Sequence, residues 1–159
     1  MKEDILTDII ANKRREISRQ MEVVSMKQLE NIVTASEADQ PRSLSLSVMS
    51  SPTGIISEFK RRSPSKGWIN READAGKITA GYAEAGAAGL SVLTDTDFFG
   101  GNEGDLVKAR HAAPSTPILR KDFIISEYQV LQSAAIKACL LYTSPSPRDL
   151  STTRMPSSA

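Results

Sequence analysis

Between residues 4 and 21 apolar side chains recur at helical spacing: Ile5, Ile9 and Ile10, then Ile17 and Met21, among Lys13, Arg14, Arg15 and Glu16. The pattern predicts an amphipathic helix. Ser25-Met26-Lys27-Gln28 has the form of a capping box and predicts a second, short helix over 26–33, followed by a polar linker over 34–42. From 43 to 51 serine alternates with leucine and valine, which suits a strand. A short helix packed by Leu44, Leu46 and Met49 suits it equally, and the sequence leaves both open.

Beyond residue 54 the period changes. Residues 55–60 fit a strand with Ile55, Ser57 and Phe59 on one face and Ile56, Glu58 and Lys60 on the other. Residues 73–85 set Ala75, Ile78, Tyr82 and Ala85 on one side of a helix, with Gly86 as a left-handed stop. Residues 89–94 are short and apolar between a glycine and Asp95-Thr96-Asp97, as a buried parallel strand is. A brief helix over 104–112 ends before Pro114 and Pro117, a third strand covers 118–123, and Ser126-Glu127-Tyr128-Gln129 predicts another capping box and a helix to residue 138. Strand and helix alternate three times, which predicts a parallel sheet with right-handed crossovers.

Charge and composition narrow the function classes. The 20 basic and 19 acidic residues are mixed along the 159-residue chain and leave a net charge of +1, so no global field favours nucleic acid or an anionic membrane. Any anion site has to be local. One cysteine, Cys139, and one histidine, His111, exclude an internal disulfide and a cysteine- or histidine-based metal centre. No apolar run suits a signal peptide or a membrane span, so a cytoplasmic location is expected.

The candidate chemistry sits at strand ends. Alternation groups Leu119, Lys121 and Phe123, so Lys121 arrives at the end of the third strand much as Lys60 does at the end of the first, and the two lysines can converge with Glu58. In parallel α/β folds ligands bind at the carboxyl ends of the strands, which favours a site here over a solvated surface strand. Arg61-Arg62-Ser63-Pro64-Ser65-Lys66-Gly67 follows the first strand and offers hydroxyls, amides and cations to an anion. Trp68 and His111 are read as packing and helix-end residues.

Ile56-Ser57-Glu58-Phe59-Lys60-Arg61-Arg62-Ser63-Pro64-Ser65, Leu90-Ser91-Val92-Leu93-Thr94-Asp95 with Phe99 following, and Ile118-Leu119-Arg120-Lys121-Asp122-Phe123 together resemble the strand signatures of indole-3-glycerol phosphate synthase. The resemblance runs from about Ile5 to Ala138 and includes Asn12-Lys13-Arg14-Arg15-Glu16. It implies an α/β fold, a partial (β/α)8 barrel: an amino-terminal helical extension over 1–50 and the first three strand-helix units over 51–138. Residues 139–159, of which 11 of 21 are Ser, Thr or Pro, read as a disordered, non-native tail.

The resemblance also implies a carboxy-lyase of tryptophan synthesis that closes the ring of 1-(2-carboxyphenylamino)-1-deoxyribulose 5-phosphate without cofactor or metal. Lys121 matches the general acid, Lys60 the lysine that holds the substrate carboxylate, and Glu58 the glutamate that orients them. Ser63, Phe99 and Phe123 match substrate-binding positions, although a turn serine and two core phenylalanines would look the same. The implied partner is a small anion bearing carboxylate and phosphate, acted on by a monomer or by an enzyme fused or associated with others of the pathway. A whole barrel takes about 250 residues, so the second glutamate, the asparagine and the phosphate loops are expected on strands beyond these, and the chain alone is expected to be inactive. Two other readings remain: a Schiff-base barrel lyase of aldolase type, which works through a neutral lysine, and a non-catalytic anion-binding module.

Overall fold

The computed structural model describes residues 5–36 and 42–142. Four strands, β1 (Ile56–Phe59), β4 (Gly89–Leu93), β5 (Ile118–Lys121) and β6 (Leu140–Tyr142), form one parallel sheet in the order β1-β4-β5-β6. Between β1 and β4 the loop carries a small antiparallel ribbon, β2 (Arg62–Ser63) with β3 (Gly67–Trp68). Helices α4 (Ala75–Glu84), α5 (Glu103–Ala112) and α6 (Glu127–Ala135) alternate with the sheet strands, the arrangement of a partial (β/α)8 barrel. Ahead of it come α1 (Ile5–Val23), α2 (Met26–Ala35) and α3 (Leu44–Ser50).

Register divides the sheet into two faces. Ser57 lies beside Leu90, Phe59 beside Val92, and Leu90 and Val92 beside Ile118 and Arg120. This is the face towards the helices: Phe59, Leu90, Val92 and Ile118 bury against Ala75, Leu106 and Ala109 of α4 and α5, with Ile78 and Tyr82 packed alongside. Each large apolar side chain so buried contributes about 1.5–3 kcal/mol relative to exposure. The other face groups Ile56 and Glu58 with Gly89, Ser91 and Leu93, then with Leu119 and Lys121.

Local signals explain most helix ends. Asp74 Oδ1 accepts from the Lys77 amide at 2.8 Å and Asn102 Oδ1 from the Asp105 amide at 3.0 Å, satisfying amides that open α4 and α5. Gly86 follows α4 with φ +88°, the left-handed stop expected of it. At α2 the reciprocal box forms, the Ser25 amide donating to Gln28 Oε1 at 2.8 Å and the Gln28 amide to Ser25 Oγ at 3.3 Å.

The box expected at Ser126 does not form reciprocally. Ser126 Oγ caps the Tyr128 amide, while Gln129 turns back into the preceding loop, accepting from the Ile125 amide at 2.8 Å and donating to the Phe123 carbonyl at 2.9 Å. A buried amide side chain takes the partners that bury it best, and here those belong to the β5 exit loop. α6 also ends at Ala135, three residues short of the expected 138.

Residues 43–51, left open by the pattern, form the helix α3, with Ser43 Oγ accepting from the Leu46 amide at 3.2 Å. Its packing departs from expectation: Leu44 is buried, but Leu46 and Met49 are exposed by 67% and 82%. Leu44, Ser47 and Val48 are the residues of the helix that are buried or half-buried, so Leu46 and Met49 fall on its outer side. A methyl placed on Gly89 would lie 2.4 Å from Leu44 Cδ1, and Ser47 Oγ donates to the Ala88 carbonyl at 2.6 Å. α3 is thereby seated on the amino end of β4.

The sheet also takes in a fourth strand. β6 pairs with β5 through Leu119↔Leu140 and Lys121↔Tyr142, inside the segment expected to be tail. Three apolar residues are too short a run for period to reveal, and pairing with an existing edge is what orders them. The rest of that segment, residues 143–159, lies outside the described residues. No helix among the described residues is long and apolar enough to cross a membrane.

Candidate active site

Glu58, Lys60 and Lys121 meet at the carboxyl ends of β1 and β5, across the intervening β4. Lys60 Nζ donates to Glu58 Oε1 at 2.8 Å and Lys121 Nζ to Glu58 Oε2 at 2.6 Å, so each carboxylate oxygen holds one ammonium. The three side chains are partly open to solvent, with exposures of 29–39%. Burial alone would raise the Glu58 carboxyl, but the hydrogen bonds and charges of Lys121 and Lys60 outweigh it and hold the group below its usual value. Glu58 is therefore ionised, and the cluster carries two cations to one anion.

Phe99 and Phe123 come from the loops after β4 and β5 and pair with ring centroids 6.1 Å apart, tilted by 41°. Such a pair walls one side of a site and remains open to a third ring. Ser63 takes a different position. Its Oγ accepts from the Lys66 amide at 3.1 Å, closing the turn of the β2–β3 ribbon. Of the two arginines that follow the first strand, Arg61 grips both carboxylate oxygens of Asp105 and donates through Nε to the Ala73 carbonyl at 2.9 Å. A bidentate arginine pair at the start of α5 holds the β1 exit loop against the helix layer.

A second charged cluster escaped the sequence reading. Lys13 of α1 is 1% exposed, and its Nζ lies 2.9 Å from Glu16, 3.1 Å from Asp95 and 3.0 Å from Asp122. Asp95 and Asp122 follow β4 and β5 directly. Burial would favour the neutral amine, but the charges of Asp122 and Asp95 and the hydrogen bond to Glu16 reverse that and hold the ammonium well above its ordinary value. Asp122, likewise pushed up by burial, ends below its usual value because Lys13 and Arg120 surround it. Arg120, 2% exposed, reaches Asp122 Oδ2 at 3.0 Å, Thr94 Oγ1 at 3.1 Å and Ser133 Oγ at 3.0 Å, which binds the strand ends to α6. One signal was available: Ile9, Lys13 and Ile17 stand four residues apart, so the lysine occupies the buried stripe itself.

The family model for indole-3-glycerol phosphate synthase matches residues 6–144. The chain belongs to the indole-3-glycerol phosphate synthase family. Indole-3-glycerol phosphate synthase of Bacteroides thetaiotaomicron is 49% identical over 135 residues, covering 85% of this chain and 51% of that relative. The proteins of the same name from Syntrophobacter fumaroxidans and Acinetobacter baylyi are 42% and 40% identical, covering 85% and 86% of this chain and 51% and 50% of theirs. The chain thus spans about half the length of the curated relatives it matches. Within the synthase family match lie all three strand-end clusters described above: Glu58 with its lysines, the phenyl pair, and Lys13 with its aspartates.

Proposed function

We propose that the protein contributes to the lyase reaction of an indole-3-glycerol phosphate synthase, converting 1-(2-carboxyphenylamino)-1-deoxyribulose 5-phosphate to indole-3-glycerol phosphate with loss of carbon dioxide and water. The observation that carries this reading is the Glu58 carboxylate shared between Lys60 and Lys121 at the mouth of the barrel strands. Two ammonium groups around one carboxylate leave a positive excess for a substrate that is itself an anion at both ends.

Lys121 donates a proton to the substrate's carbonyl oxygen as the carbonyl carbon bonds to the ring carbon bearing the carboxylate. Lys60 holds that carboxylate until it departs as carbon dioxide, returning its bonding electrons to the ring. The new hydroxyl then takes up a proton and leaves as water, while the neighbouring methylene carbon gives up a proton to form the double bond of the indole. Glu58 fixes both ammonium groups through its two oxygens, and Phe99 and Phe123 flank the aromatic ring. Ser63 Oγ accepts the turn hydrogen bond from the Lys66 amide and still has its hydroxyl proton to donate to the substrate carboxylate. The bacterial relatives support a cytoplasmic setting for this chemistry, and the reading needs no cofactor or metal.

The test is formation of fluorescent indole-3-glycerol phosphate from this substrate. It is run on residues 1–159 and on the same residues joined to the carboxyl-terminal half of the Bacteroides relative, with turnover expected in the joined protein. Borohydride added with substrate is the second arm. An ionised Glu58 attracts ammonium groups, whereas a Schiff-base lysine reacts as a free amine. A reduced adduct on Lys60 or Lys121, or no turnover in the joined protein, would overturn the synthase reading.

A further inference from the structure

Lys13 does more than neutralise buried acids, because the acids it holds also hold the site's loops. Asp95 Oδ1 accepts from the Phe98 amide at 2.9 Å, and Asp122 Oδ1 accepts from the Phe123 amide at 2.8 Å. The same two carboxylates meet the Lys13 ammonium at 3.1 and 3.0 Å. One cation on α1 therefore fixes two carboxylates, and these fix the two chain segments whose rings meet at 6.1 Å. Asp122 is pinned further by Thr94 Oγ1 at 2.8 Å, so the β4 and β5 exits move together. Beside Lys13, Asn12 Nδ2 donates to Asp97 Oδ2 at 2.5 Å, a second tie from α1 to the β4 exit loop.

Resting on the synthase reading, we propose that Lys13 is a positioning residue for the site: it locks α1 across the carboxyl ends of β4 and β5 and so sets the placement of the Phe99–Phe123 pair against which the substrate's aromatic ring packs. Lys13 lies behind the loops and acts through Asp95 and Asp122. A merely structural lysine would, when removed, loosen the sheet and the loops alike. A positioning lysine loosens the loops first.

Hydrogen exchange separates these cases without substrate. In Lys13→Met, exchange at the Phe98 and Phe123 amides is expected to accelerate about tenfold or more relative to the Leu90 and Val92 amides of β4. In the joined protein used for turnover, KM is expected to rise about tenfold while kcat stays within about threefold, because the ring is held less well but the lysines remain. Should Lys13→Met fail to fold, Lys13→Met with Asp95→Asn removes one stranded charge, keeps an amide-accepting oxygen at position 95, and is read in the same way at Phe123. Equal acceleration in strand and loops, no acceleration, or failure of both variants to fold would overturn the proposal. A wild-type protein that shows no turnover would refute the synthase reading alone and leave the exchange comparison standing.

Discussion

The protein holds two charge clusters built in opposite proportion. Around Lys13 three carboxylates enclose one ammonium that is 1% exposed; around Glu58 two ammonium groups enclose one carboxylate, with all three side chains about a third open. The first cluster keeps its cation wholly inside the fold among carboxylates, and desolvation makes each partner indispensable. The second keeps spare positive charge at a wet opening, where charge pairs contribute little to stability and much to what binds. Counting ion pairs, three against two, would miss the difference in kind. Burial and the sign of the excess charge separate an anchor from a binding site.

The comparison is broken most sharply at Lys121. If the open cluster is the reactive one, Lys121→Ala in the joined protein lowers kcat by about 100-fold to 10,000-fold, with a smaller change in substrate affinity. Steady-state kinetics within about a factor of three of the parent would remove Lys121 from the acid role.

Acid sharpens the contrast. The Glu58 and Asp122 carboxyls both lie below their ordinary values of 4.5 and 3.8 in the fold, so their stabilisation is present above those values and is lost as pH falls through the lower folded ones. Glu16, raised by burial, works the other way and gains stability on protonation. Thermal midpoints measured from about pH 7 down to about pH 3 should therefore fall, and Asp122→Asn, which removes the most buried of the three, should flatten that fall more than Glu58→Gln does. Equal flattening would erase the distinction between closed and open clusters.

The smallest effect is expected where a pair is fully on the surface. Lys27 and Glu30 approach to 3.3 Å on α2 with exposures of 78% and 48%. Lys27→Ala should shift unfolding free energy by less than about 0.5 kcal/mol in a denaturant titration. A larger loss would mean that pairing, and not burial, governs these clusters.

What could be read from the chain follows the same division. The period of two placed Glu58 and Lys60 on one face of β1, and Lys121 at the matching end of β5, because a strand's alternation is local and survives without its neighbours. The strand-end convergence then followed from parallel topology. The Lys13 cluster needed partners 82 and 109 positions away in the chain, Asp95 and Asp122, and local polarity assigned the lysine to the solvent face. Arg120 misleads in the same way, since its face of β5 is buried yet polar, satisfied by the nearby Asp122 and by Thr94 and Ser133 from two other segments. Leu46 and Met49 were expected to pack because they are apolar, but in a seven-residue helix the buried side is taken by Leu44, Ser47 and Val48 and these two face out. β6 owes its order to the edge of β5, and nothing within three residues announces that.

The seat of Leu44 on Gly89 bears on where this protein can be cut. Residues ahead of β1 look removable, being helical and outside the strand-helix repeat. Yet trimming to the start of β1 would take away the Leu44 side chain that plugs the space against Gly89 and the Ser47 hydroxyl that donates to the Ala88 carbonyl, leaving the amino end of β4 without either partner. A shortened version therefore begins no later than Ser43, whose hydroxyl starts the helix that carries the plug.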